Sequence, residues 1–155
     1  MRRRKVFAAV AVCGVLLSIL ANGALAADPC DRACLQGHID NVLAAMIAHN
    51  PNRLMFARTV RYTENGVELR IGDGLWGTAS ARGKYNLYVC DTESGQAGLY
   101  GTLVENGVVT DYIALRVKMF ESLISEIEAI VVRPSGNNPG EGAGAKVEKA
   151  GPPRS

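Results

Sequence analysis

Between Leu35 and Ile47 the apolar residues Leu35, Ile39, Val42, Leu43, Met46 and Ile47 recur at helical spacing, and from residue 58 onward the period drops to two. That single change of period constrains the fold most. Strand candidates follow at 58–63, 67–71, 83–91, 96–105, 108–119 and 123–132, each rich in Val, Ile, Leu, Tyr or Thr. Asn65-Gly66 and Asn106-Gly107 read as tight hairpin turns because both residue types tolerate positive φ, and Glu93-Ser94-Gly95 as a longer one. One amphipathic helix followed by six strands excludes a βαβ design. The expected class is α+β: an N-terminal helix, capped by Asp28 with Pro29 at its first position, packed on a curved antiparallel sheet. A curved sheet closed by a helix makes a cone with an internal pocket for one small molecule.

The ends of the chain are compositionally different. Arg2, Arg3, Arg4 and Lys5, the apolar run from Val6 to Leu20 and the small-residue stretch Ala24-Leu25-Ala26 spell a signal peptide over residues 1–26. The apolar run is shorter than the roughly 20 residues that span a bilayer, so no stable membrane anchor is expected. Removing those four cations leaves 13 of the 17 Lys and Arg against 15 Asp and Glu, and the formal charge moves from +2 to −2. Without a basic excess or cluster, a nucleic-acid partner is excluded. Beyond Arg133 the Pro, Gly, Ser and Asn-rich sequence lacks the apolar surface to fold, which makes 134–155 a disordered tail and 28–133 the ordered domain.

Export implies a secreted or periplasmic location and an oxidising compartment. There Cys30 and Cys34, four apart in a helix, can form a disulfide, or they remain reduced at a frayed helix start; Cys90 is left unpaired. His38 and His49 fall into no zinc-ligand spacing with the cysteines, so no metal is expected. Serine-hydrolase, Walker and dinucleotide signatures are absent from the sequence, and no cofactor is implied.

Taken together, Cys30-Asp31-Arg32-Ala33-Cys34-Leu35, His49-Asn50-Pro51, Tyr62-Thr63-Glu64-Asn65-Gly66, Gly72-Asp73-Gly74-Leu75-Trp76 and Leu115-Arg116-Val117-Lys118 resemble a secreted branch of the nuclear transport factor 2-like, or SnoaL-like, superfamily. The resemblance covers nearly the whole ordered domain. It implies a cone-shaped α+β fold around an apolar pocket, in a superfamily that hosts isomerases, dehydratases, hydrolases, cyclases and non-catalytic members. It also implies that copies can homodimerise through the open sheet face. None of the family's catalytic sets aligns here residue by residue, so candidates rest on chemistry and strand parity.

Side chains alternate along a strand, which puts Tyr112, Ala114 and Arg116 on one face and Ile113, Leu115 and Val117 on the other. Arg116 can anchor an anionic group or pair with Glu126 and Glu128; the alternative is a solvated cross-strand pair on the outside. Tyr88 and Tyr100 offer phenolic donors to an oxyanion, or pack structurally, as do Tyr62 and Tyr85. Trp76 is a lid over an apolar ligand or a plug at the cone mouth. Asp73 is a candidate general base or a turn residue, and His49 a base or a helix-terminal cation. Two functions follow: cofactor-independent acid-base chemistry on a small apolar or aromatic molecule, with Asp73, His49, Tyr88 and Tyr100 reacting and Arg116, Trp76 and Tyr62 binding, or non-catalytic carriage or sensing of such a molecule. The sequence does not decide between enzyme and carrier.

Overall fold

The computed structural model describes residues 30–133 and Lys149. The expected signal peptide, the Asp28-Pro29 cap and nearly all of the expected tail lie outside these residues. Among the described residues no helix is long and apolar enough to cross a membrane.

Helix α1 runs Arg32–Ile47, and Asp31 is its N-cap, accepting from the Cys34 amide at 2.8 Å. The cap therefore sits three residues beyond the expected Asp28. Ala48 ends the helix, His49 turns the chain at φ 50°, and Asn50 accepts from the Asn52 amide to start a 3₁₀ turn, Pro51–Arg53. Six strands follow: β1 Phe56–Glu64, β2 Val67–Leu69, β3 Ala79–Asp91, β4 Gln96–Glu105, β5 Val109–Phe120 and β6 Leu123–Val132. A one-turn helix α2, Leu75–Thr78, lies within the Gly-rich connection from β2 to β3.

The sheet order is β2-β1-β6-β5-β4-β3. Hairpins join β1 to β2 and β3 through β6 in series, all antiparallel, as the turn residues require. The expectation of a wholly antiparallel sheet needs one correction: β1 runs parallel to β6, with Tyr62 opposite Ile127 and Glu64 opposite Ala129. Turn chemistry fixes only sequential neighbours, and the β1–β6 pair is closed by a long crossover that leaves no local signal. Asn65 secures the pair, its side chain accepting from the Val131 amide at 2.8 Å and donating to the Val131 carbonyl at 3.2 Å. The sheet is mixed and does not close into a barrel.

Register shifts in β3 at Ala79/Ala81 and Arg82/Asn86 bend that strand, as bulges do, and α1 packs against it. Into that bend α1 buries Leu35, Ile39, Val42, Leu43 and Met46, and the sheet answers with Leu99, Leu103, Ile113, Leu115, Val117 and Ile127. Leu75, Trp76 and Tyr62 belong to the same core, with the Tyr62 and Trp76 rings edge to face at 6.4 Å. Gly74 precedes α2 at φ 62°, and a Cβ there would meet Glu64 Oε2 at 2.3 Å. Gly74→Ala is expected to lower stability by about 2 kcal/mol, from left-handed strain plus displacement of Glu64, with urea unfolding as the measurement.

Candidate functional site

The helix covers one face of the sheet and leaves the other open. Cross-strand register arranges the open face in rows: Leu87, Tyr100, Ala114 and Ile130 in one, and Val89, Gly98, Arg116 and Glu128 in the next. Gly98 and Ala114 are the small members. They form the floor of a concavity of about 500 Å³ whose walls include Val89, Tyr100, Arg116 and Ile130. Val89, Tyr100 and Ile130 are 55%, 45% and 50% exposed, so the walls offer apolar surface to solvent. At the aromatic end, burial and then the neighbouring hydroxyls of Tyr85 and Tyr100 push the Tyr112 phenol above its ordinary value.

At the other end Arg116 donates through all three nitrogens, to Glu128 at 3.0 Å, Gln96 at 2.8 Å and Glu126 at 2.6 Å. Lys118 shares Glu126 at 3.2 Å. Register explains the cluster, since Arg116 stands opposite Glu128 and Lys118 opposite Glu126. Hydrogen bonds from Arg116 and Lys118 hold Glu126 below the usual carboxylate range. Partial desolvation pulls the Arg116 guanidinium down, but the two carboxylates outweigh it and raise it. A smaller cavity of about 90 Å³, lined in part by Arg61, Thr63 and Gly66, adjoins this pair.

On the helix-facing side four ionisable side chains meet, from β1, β4, β5 and the residue after β6. Glu64 accepts from the Tyr62 hydroxyl at 3.0 Å, the Leu75 amide at 2.6 Å and Arg133 at 2.9 Å. Arg133 also donates to both oxygens of Glu105, and Thr78 donates to Glu105 as well. Asp111 is 0% exposed and no donor reaches either of its oxygens. A bare carboxylate there would be unsolvated, which favours the protonated form of Asp111. Burial first, then Glu105, pushes Asp111 up to about 7. Glu105 moves the other way: burial opposes its charge, but Arg133, Asp111 and Thr78 hold it below the usual range.

The expected site residues are dispersed over the molecule. Arg116 and Tyr100 share the open face, and Trp76 and Tyr62 are buried in the core on the opposite, helix-facing side. Tyr88 stands opposite Leu99 and Tyr100 opposite Leu87, which turns the two phenols to opposite faces, so they do not converge on one oxyanion. Tyr88 instead joins Asp40 and Arg82 beside α1. Asp73 is exposed and paired with Arg70 at 3.2 Å. His49 Nδ1 lies 2.5 Å from the Trp76 carbonyl, where the ring donates and ties the helix end to α2. Cys30 and Cys34 form a disulfide, and Cys90 is a free thiol. Glu64, Glu105, Asp111 and Arg133 were not among the sequence candidates. Their one signal is parity: Asp111 falls on the apolar face of β5 with Ile113, Leu115 and Val117.

No family model and no curated protein matches this chain. Among solved structures it is similar to AclR from Streptomyces galilaeus, provisionally assigned as a hydroxylase, at TM-score 0.50 and 11% identity over 65% of this chain and 80% of that one. It is also similar to a protein of unknown function with a cystatin-like fold from Methylobium petroleophilum PM1, at TM-score 0.52 and 17% identity over 72% and 84% of the respective chains. At these identities the likeness to both is one of fold.

The Asp111 proton makes stability depend on pH. Its folded value near 7 lies above an unfolded aspartate near 3.9, so the stability present below pH about 4 is lost as pH rises to about 7. Glu105 contributes in the opposite sense, losing stability only as pH falls below the ordinary glutamate range. Thermal melts are expected to show a midpoint that falls between pH 4 and 7 in the native protein and is flatter in Asp111→Asn. An unchanged slope in that variant would assign the effect elsewhere.

Proposed function

We propose that the protein is a small-molecule binder of the secreted or periplasmic space, a carrier or sensor whose ligand lies in the concavity on the open face of the sheet. The observation that carries this reading is the floor of Gly98 and Ala114 between walls of Val89, Tyr100 and Ile130, a volume suited to one small aromatic or apolar molecule. A flat ring would lie on the floor and stack against Tyr100, with its polar end toward Arg116 and Gln96. Glu126 and Glu128 already balance the Arg116 charge, which favours an uncharged acceptor over an anion. The fold shared with AclR is compatible with such a role, since it is one on which small-molecule sites are built.

The dispersal of Asp73, His49, Tyr88 and Tyr100 supports carriage over catalysis. A second reading, cofactor-independent acid-base chemistry, draws support from one place, the neighbouring acids Asp111 and Glu105, whose surroundings push their pKa values in opposite directions. In that reading Trp76 and Tyr62 would have to move to admit a substrate, with His49 following through its bond to Trp76. Export by a signal peptide at 1–26, leaving a domain at 28–133 with a tail at 134–155, completes the proposal; the Cys30–Cys34 disulfide is compatible with an oxidising compartment. Homodimerisation through the open face would compete with the ligand for the same surface.

Gly98→Val tests the site with little structural cost, because a Cβ at Gly98 meets nothing nearer than 3.8 Å. In a thermal-shift screen against uncharged aromatic compounds, a ligand is expected to raise the unfolding midpoint of the native protein and not that of Gly98→Val or Tyr100→Ala. A ligand that stabilises all three equally would place the site elsewhere, with the helix-facing cluster as the next candidate.

A further inference from the structure

Cys30, Cys34 and His38 stand four residues apart: Cys34 and His38 share one stripe of α1, and Cys30, just before the helix, is held beside Cys34 by the disulfide. Their two sulfur atoms and the imidazole nitrogen all lie within 4.8 Å of one another. Cys34 Sγ is 3.8 Å from His38 Nε2. Around a tetrahedral zinc ion, with bonds of about 2.3 Å to sulfur and about 2.0 Å to nitrogen, ligand atoms stand about 3.5 to 3.8 Å apart. The Cys34–His38 edge already has nearly this length. We propose that these three residues form a redox-gated metal site: closed while Cys30 and Cys34 are a disulfide, and open to one Zn²⁺ ion, held by two thiolates and the His38 imidazole, once the disulfide is reduced.

The chemistry balances without a further component. A dithiol reductant gives two electrons and two protons, the Cys30–Cys34 bond breaks, and the reductant closes its own disulfide. Zinc then displaces the two thiol protons to solvent. Cys34 is exposed and sits in the first turn of α1, within reach of a reductant and of an ion from solvent. The spacing 30, 34, 38 is that of one helical stripe and not of a zinc finger, so motif matching passes over it. Cys90 also approaches the start of α1, its sulfur 3.8 Å from the Arg32 carbonyl oxygen, which makes it the natural competitor for a place in the site. The inference is independent of the ligand proposed for the sheet face.

The test uses Co²⁺ as a spectroscopic stand-in on the purified protein, oxidised or reduced with a phosphine in the absence of oxygen. The reduced protein is expected to bind one Co²⁺, with thiolate charge-transfer and strong visible bands that are bleached by one equivalent of Zn²⁺; the oxidised protein is expected to show none. Cys34→Ser should abolish the bands. His38→Ala should keep the charge transfer but weaken binding at least ~10-fold, and Cys90→Ser should change nothing. Helix content by circular dichroism, compared before and after reduction, separates lost ligands from lost structure. A reduced, helical protein that binds no Co²⁺ overturns the proposal, as does binding that needs Cys90 and not His38.

Discussion

The structure depends on one helix covering a sheet that is too wide for it. Six strands at about 4.8 Å spacing make a surface about 24 Å across, and a 16-residue helix is about 24 Å long but only about 10 Å wide. Helix α1 therefore lies over β3, β4 and β5, and the β1–β6 side needs another cover. The short connection between β2 and β3 supplies it. Leu75 and Trp76 fold in over Tyr62, and His49 fastens the end of α1 to the Trp76 carbonyl. Even then the edge of the core is polar, and Arg133 closes it by joining Glu64 from β1 to Glu105 from β4.

The two charged clusters show how much surroundings decide what similar groups do. On the open face Arg116 and its glutamates are about a third exposed, so water screens them and their pairing fixes orientation more than it stabilises. On the helix-facing side Glu64 and Glu105 are almost fully buried and share one guanidinium. A third acid, Asp111, is fully buried beside them, and burial and Glu105 push its pKa up. The same residue types give a wet rim in one place and a buried pair of acids with opposed pKa shifts in the other.

The period change at residue 58 made the helix and six strands legible, because local alternation and hairpin residues report local geometry. The parallel β1–β6 contact was not legible, since nothing near Thr63 or Glu128 marks a partner some sixty residues away. Site residues divide along the same line. Strand parity placed Arg116 with Glu126 and Glu128, which are near in sequence and opposite in register. The bends in β3 and the crossing of β6 decided the rest: Tyr88 beneath the helix, Trp76 sealed in the core, and Glu64, Glu105 and Arg133 brought from separate strands to one point.

The position of β6 also governs when the fold can form. It is the last of the described strands in sequence, yet it lies in the interior of the sheet, between β1 and β5. A chain that emerges from its N-terminus can make the β1–β2 hairpin and the β3–β5 meander, but the two halves share no edge until residues 123–132 arrive. Completion of the sheet is thus withheld until nearly the whole domain is present, and the contacts that join its two halves through β6 are made late. The topology acts as a built-in delay that keeps the sheet of a growing chain open.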